Sequence, residues 1–289
     1  MGRLGPFTDD LLAWGVPRMR EFPWRATRDP WHVLISEVML QQTNVGRVYP
    51  RFERFVALAP TPAACVAVPL ADLLVEWQGM GYPRRCRNIQ ESARLIVDRH
   101  DGVVPRDLAA LMELPGIGPY TARAILAFAF GDDAAVVDTN VARVIARVHG
   151  RPLKSRETQD IADELLPRGF ARDWNQVIMD FGATVCDART PACGTCPVAG
   201  HCAWCGDGED PARTTAFTSR PQGRFEGSDR QARGRLMKRL TEGSVTVTTV
   251  AEVMQLADID RAERLAASLV KDGLVELVDG AYRLSSTRR

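Results

Sequence analysis

No apolar stretch in this 289-residue chain approaches the ~20 residues that a transmembrane helix needs. That excludes a helical membrane anchor. The N-terminus also lacks a secretory pattern, so a cytoplasmic setting is expected. Lysine is nearly absent. Lys154, Lys238 and Lys271 are the only three among 37 basic residues. Arginine supplies the rest, which fits either bidentate phosphate ligation or the codon usage of a GC-rich genome. The formal net charge of +1 argues neither for nor against nucleic acid. Cysteine is not scarce, but its count of seven is odd, which speaks against a disulfide framework. Alternating strand patterns are missing from the first ~205 residues.

What is there reads as helix. Apolar spacing predicts helices over 8–21, 31–57, 69–78, 84–99, 107–113, 119–130, 139–149, 156–166 and 173–184. Pro and Gly punctuate them at Pro60, Pro62, Gly79, Gly81, Pro105, Gly116, Gly118 and Gly131. From 206 to 228 the composition turns to Gly, Pro, Ser, Thr and charge, the mark of a linker or of a segment draped on a surface. A second unit, 229–289, follows. It combines amphipathic segments at 229–242 and 259–272, a shorter one near 248–256, and a hairpin turning at Asp279-Gly280. Three short helices and a hairpin predict a small winged-helix-like α+β domain, which would bind DNA or serve as a structural or protein-contact module.

Four cysteines are crowded into one short loop. Cys186, Cys193, Cys196 and Cys202 have the spacing C-x6-C-x2-C-x5-C. That density suits four thiolates on a [4Fe–4S] cube. Structural zinc, usually held by two separated pairs, suits it less well. Cys205 lies close by as a further thiol, and Cys65 and Cys86 sit in helical, core-like settings. The histidines show no metal-ligand or base spacing.

Residues 114–122, LPGIGPYTA, lie between two helical segments. A hairpin at Gly116-Ile117-Gly118 leaves backbone N–H groups uncovered and starts a helix. Both features favour an anion such as a DNA phosphate. Twenty residues beyond Gly118 comes Asp138, at the start of another helical stretch and so in an N-cap position. An N-cap carboxylate is expected to stay ionised. Glu37 has Val33, Leu34, Leu40 and Gln41 as its helical neighbours. Such a largely apolar patch raises a carboxyl pKa and suits a general acid.

These parts together resemble the adenine DNA glycosylase family, in the iron–sulfur branch of the helix–hairpin–helix DNA glycosylase superfamily. The resembling residues are Pro23-Trp24-Arg25, the segment 36–43 (SEVMLQQT), Gly79-Met80-Gly81-Tyr82, the hairpin, Asp138 and the four cysteines. They cover about two-thirds of the chain. The resemblance implies a mainly α fold of two helical subdomains within 1–205. A barrel with the hairpin would occupy about 26–134, and an iron–sulfur subdomain 1–25 plus 135–205. It implies a monomer that acts on double-stranded DNA containing a mismatch or oxidised guanine, in bacterial base excision repair and on the nucleoid.

The resemblance also assigns roles. Glu37 would protonate the departing adenine at N7, and Asp138 would stabilise an oxocarbenium-like sugar. Tyr120 stands where lyase-type relatives carry a Schiff-base lysine, so strand cleavage is expected to be weak or absent. Asn140 would position Asp138 or water. Gln42 and Tyr82, with Gln41 nearby, would fill the gap left by an extruded nucleotide. Trp24 and Arg25 would line the base pocket, Gly116 and Gly118 would meet phosphate, and Arg189 would reach phosphate from the cysteine loop. Residues 213–239 carry eight Arg or Lys against Glu226 and Asp229, a run that would either track the DNA backbone or remain a solvated linker. One departure stands out. The ~85 residues after Cys205 are too few for the Nudix-like domain with which many such enzymes recognise 8-oxoguanine. Two rival readings are a thymine or uracil mismatch glycosylase on the same scaffold, and a non-catalytic iron–sulfur DNA-binding regulator.

Overall fold

A computed structural model describes residues 5–217 and 223–286. The ends of the chain and 218–222 of the expected linker lie outside the described residues. The helices are α1 (Pro6–Gly15), α2 (Pro23–Ala26), α3 (Pro30–Leu40), α4 (Val45–Leu58), α5 (Pro62–Ala67), α6 (Leu70–Glu76), α7 (Arg84–Arg99), α8 (Leu108–Met112), α9 (Pro119–Ile125), α10 (Thr139–His149), α11 (Ser155–Leu165) and α12 (Ala171–Thr184). The C-terminal part then runs α13 (Asp229–Leu240), β1 (Val245–Thr246), α14 (Val250–Met254), α15 (Ile259–Lys271), β2 (Val275–Val278) and β3 (Ala281–Leu284). No helix among the described residues is long and apolar enough to cross a membrane.

The expected helix over 31–57 is two helices. Between them Gln42 takes a left-handed conformation, φ 54°. Asn44 then accepts a hydrogen bond from the Gly46 amide at 2.8 Å and caps α4. The expected helix over 119–130 is α-helical only to Ile125. Residues Leu126–Phe130 continue as a π turn that ends at Gly131. Arg172 donates to the Phe128 carbonyl at 2.6 Å, a partner for backbone in that altered turn.

The described chain forms two compact units. One holds the described residues of 1–33, 106–112 and 117–220. Its core joins Phe7 and Leu11 of α1, Val141, Val144 and Ile145 of α10, and Trp174, Val177, Ile178 and Phe181 of α12. The apolar spacing on α10 and α12 places these side chains on one face of each helix. Gly15 lets α1 approach α12, because a Cβ there would lie 2.2 Å from Val177 Cγ1. Part of the expected linker belongs to this unit. Thr215 and Ala212 are buried. The Ala216 amide bonds to the Leu153 carbonyl, and the Leu153 amide to Thr215 Oγ1.

The other unit holds the described residues of 34–105, 113–116 and 221–289. Here α5 packs on α7 and α4 on α6. The C-terminal segment has the order helix, strand, two helices, hairpin. Its antiparallel sheet is ordered β1-β3-β2, with Val275 opposite Leu284 and Val245 opposite Tyr282. The hairpin turns at Asp279 and Gly280, both with positive φ. This is the expected winged-helix-like topology with one short strand more than the sequence suggested. The module is fastened to α7. Arg87 donates to the Asp272 carbonyl at 2.6 Å, and Arg233 pairs with the Asp272 carboxylate at 2.5 Å.

Residues Ala134–Val137 form a buried extended run between the π turn and α10. Asn175, 1% exposed, holds it. Its Oδ1 accepts from the Val136 amide at 2.8 Å, and its Nδ2 donates to the carbonyls of Ala134 and Ala171. Asn175→Ala leaves a buried amide and two carbonyls without these bonds. The expected loss is about 2–3 kcal/mol, read as a lower urea midpoint with an unchanged slope. An unchanged midpoint would show that the run is held by other means.

A candidate active site and iron–sulfur centre

Asp138 caps α10. Its Oδ1 accepts from the Val141 amide at 2.7 Å and its Oδ2 from Asn140 Nδ2 at 2.9 Å. Asn140 is held in turn by Arg143, whose Nη2 donates to Asn140 Oδ1 at 2.8 Å and to the Gly182 carbonyl at 2.6 Å. Gly182 allows α12 close enough for this, since a Cβ there would lie 2.8 Å from the Asn140 Cβ. Burial pushes the Asp138 carboxyl up from its ordinary value. The bonds from Val141 and Asn140 and the charge of Arg143 oppose that rise without cancelling it. The N-cap therefore does not keep this carboxyl as acidic as the sequence suggested. Tyr120 lies half-buried in the first turn of α9 in the same unit.

The chain from Asp138 continues to the cysteine loop. Arg143 Nε donates to the Cys186 carbonyl at 2.8 Å. One turn on, Arg147 is 1% exposed and donates to Cys186 Sγ at 3.3 Å and to the Asp187 carbonyl at 2.7 Å. Asp210 pairs with the same guanidinium at 2.8 Å, and the Trp204 ring lies 4.6 Å from it. Cys186, Cys193, Cys196 and Cys202, with Cys205 as a fifth thiol, line one open cavity together with Arg147 and Trp204. No three His, Cys, Asp or Glu side chains among the described residues are placed to hold a single metal ion. Four thiols standing around a cavity fit the corners of a [4Fe–4S] cube better than one tetrahedral zinc. Arg189 is exposed in the loop between the first two cysteines, where Asp187 Oδ1 accepts from the amides of Arg189 and Thr190.

Trp24 and Arg25 belong to a buried assembly. Trp24 is 7% exposed and stacks on Phe22 with centroids 4.9 Å apart. Arg25 donates to both oxygens of Asp180, at 2.7 and 2.9 Å, and Arg20 donates to the same carboxylate. Burial alone would raise Asp180, but the bonds from Arg25 and Arg20 hold it below the usual carboxylate range.

Glu37 lies on α3 in the part that begins at Leu34 and belongs to the other unit; it is 6% exposed, and its neighbours Leu34 and Val38 are buried as well. Gln41 Nε2 donates to the Gly116 carbonyl at 3.1 Å, which joins two of the expected DNA-facing positions. Gly116 has φ 80°, and a Cβ there would meet Asn88 Nδ2 at 2.7 Å. Gly118 is extended and precedes α9, which is only seven residues long. Tyr82, like Gln42, is left-handed, with φ 47°, and is 40% exposed.

Within the basic run, Arg224 pairs with Glu226 and Arg233 with Asp272, while Arg230 and Arg235 donate to the Gly223 and Met254 carbonyls. Arg213, Lys238 and Arg239 are exposed, and Arg220 lies outside the described residues. Sequence reasoning missed Arg85, Arg143, Arg147, Asn175 and Asp180. For Arg147 a signal existed: it falls on the apolar face of α10, four residues after Arg143.

Residues 35–168 match the HhH-GPD superfamily base excision DNA repair protein family. Residues 186–202, the span of the four cysteines, match the iron–sulfur binding domain of endonuclease III. The adenine DNA glycosylase of Mycolicibacterium smegmatis is 42% identical over 283 residues, covering 96% of this chain and 95% of that one. The human adenine DNA glycosylase is 37% identical over 211 residues, 68% of this chain and 39% of that one. A thymine/uracil-DNA glycosylase of Methanothermobacter thermautotrophicus is 34% identical over 200 residues, 67% of this chain and 90% of that one. The solved structure of a thermostable thymine-DNA glycosylase superposes with a TM-score of 0.66 at 33% identity, covering 68% of this chain and 94% of that one. The mycolicibacterial match runs through the C-terminal module as well as the helical part, and on it the chain belongs to the adenine DNA glycosylase family.

Proposed function

We propose that this chain hydrolyses the N-glycosidic bond of adenine mispaired with guanine or 8-oxoguanine, as a monofunctional glycosylase acting on bacterial nucleoid DNA. The observation that carries the reading is Asp138, held at a helix N-terminus by Asn140 and Arg143 in a chain 42% identical to an adenine glycosylase. Glu37, removed from water, gives its proton to N7 of the extruded base. The C1′–N9 bond then breaks, its electron pair leaving with adenine. The positive charge that develops on the sugar is stabilised by the Asp138 carboxylate until water adds at C1′ and gives up a proton to the Glu37 carboxylate, which restores the acid. Gln42 and Tyr82 enter the duplex, and Gly116, Gly118 and Arg189 contact phosphate. Trp24 and Arg25 border the base pocket. The [4Fe–4S] cluster, bound through Cys186, Cys193, Cys196 and Cys202, cross-links its loop; no chemical step is assigned to it.

The thymine or uracil mismatch reading keeps some support from the 34% identical relative. Purified protein incubated with A:8-oxoG, A:G, T:G and U:G duplexes separates the two. Alkali-labile sites are expected in the first two only, with intact strands before alkali because Tyr120 offers no amine. Breaks confined to T:G or U:G would overturn the adenine reading, and efficient breakage without alkali the monofunctional one.

A second prediction follows from the raised Asp138 carboxyl. Its folded pKa lies above the unfolded one, so the protonated form is favoured by folding and stability falls as pH rises through that window. At neutral pH the ionised group therefore destabilises the fold. Asp138→Asn keeps a capping side chain and removes the charge. Its Tm is expected to be equal or higher, while single-turnover excision drops by roughly a thousandfold or more. Retained excision would remove Asp138 from the mechanism.

A further inference from the structure

Arg85 is a buried cation. It lies in the first turn of α7 and is 8% exposed. The ion pairs among the described residues include none to Arg85, and burial lowers it to about 10. Its acceptors are neutral oxygens. Nη1 donates to the carbonyls of Val38 and Met39 at 2.9 Å and of Gln41 at 2.5 Å. Nη2 donates to Thr43 Oγ1 at 2.8 Å and to the carbonyls of Met80 and Gly81 at 3.1 Å. The rings of Trp77 and Tyr82 lie 5.2 and 5.5 Å from the guanidinium carbon.

These acceptors sort into two groups. Val38, Met39, Gln41 and Thr43 belong to the end of α3 and the turn after it. Met80 and Gly81 belong to the turn before α7. Capping the carbonyls at a helix end needs only one edge of a guanidinium. The second edge reaches the other turn, and Thr43 Oγ1 spans the same gap, 3.3 Å from the Gln41 carbonyl and 3.4 Å from that of Met80. Each turn carries one non-glycine residue in the left-handed region, Gln42 and Tyr82. Such residues persist where their surroundings over-determine them. A lysine could not substitute, because it offers a point charge in place of a planar fork.

We propose that Arg85 is a positioning residue for base extrusion: its guanidinium fixes the Gln42 turn and the Tyr82 turn to each other, so that both side chains enter the duplex as one wedge. The proposal rests on the reading of Gln42 and Tyr82 as the residues that fill the vacated space. Arg85 itself stays inside the protein, so its removal should spare encounter with DNA and impair the step in which the base leaves the stack.

The test uses the full cluster-loaded chain, with Arg85→Lys beside Gln42→Ala and Tyr82→Ala. Extrusion is followed by the fluorescence of 2-aminopurine placed next to a mispaired adenine. Single-turnover excision is measured on A:G and on adenine opposite an abasic-site analogue, which is already loosely stacked. Arg85→Lys is expected to lower the extrusion signal and A:G excision by ~10–100-fold, with duplex affinity within about threefold because the charge is kept. The deficit should shrink at least several-fold on the loosely stacked adenine. An equal deficit on both substrates, or wild-type extrusion, overturns the proposal. If Gln42→Ala and Tyr82→Ala extrude normally, the wedge reading itself fails; if they lose extrusion while Arg85→Lys keeps it, only the inference about Arg85 fails. Should Arg85→Lys lose its absorbance near 400 nm, Thr43→Val, which removes the side-chain acceptor of Nη2, must show the same substrate-selective loss, and a uniform loss or none overturns the proposal.

Discussion

A carboxyl group shielded from water, with both oxygens held by hydrogen bonds, is the constraint around which the Asp138 side of the molecule is organised. Burial favours the neutral form of Asp138. The opposing contacts are short and local: the Val141 amide at 2.7 Å and the Asn140 amide group at 2.9 Å. The Val141 amide is placed by the first turn of α10. Asn140 is oriented by Arg143, and Arg143 is anchored on the Gly182 and Cys186 carbonyls. The extended run before Asp138 is pinned by Asn175 of α12. Helix α10 therefore carries the carboxylate at one end, and one and two turns on the two arginines that hold the cysteine loop.

Arginine has a second use that the composition did not separate from phosphate binding. Arg85, Arg143, Arg147 and Arg172 bind backbone carbonyls inside the protein, up to three per guanidinium edge. A planar fork with five donors satisfies carbonyls left over at helix ends and irregular turns. The scarcity of lysine thus fits an interior stitched by guanidinium groups, whatever the codon bias behind it. In the 213–239 run, Arg230 and Arg235 also donate to backbone carbonyls, those of Gly223 and Met254.

Much of the fold was legible because its signals are local. Helical periodicity, the Asp-Gly hairpin and the cysteine spacing each read correctly, since they depend on neighbours a few residues away. Errors fell where distant residues override local pattern. Residues 41–44 look helical in isolation, but Arg85, more than 40 residues on, binds the carbonyls that a continuous helix would use. The π turn at Leu126–Phe130 leans on Arg172. Among the candidate site residues, Asp138 and Asn140 were singled out by motif, and the structure joins them by a hydrogen bond. Arg143, which orients Asn140, carries no motif, and only the folded backbone brings it to its partners. Nothing in the sequence around Arg25 shows that Asp180, 155 positions away, accepts its hydrogen bonds.

The central claim is that Asn140, oriented by Arg143, lowers the Asp138 carboxyl against the rise that burial imposes. The single-turnover rate of adenine excision as a function of pH, for the native chain and for Asn140→Ala, tests it most directly. Loss of a hydrogen bond to the charged form raises the carboxyl pKa, so the acid limb of the variant is expected to move to higher pH. An acid limb at the same pH in both proteins would contradict the account.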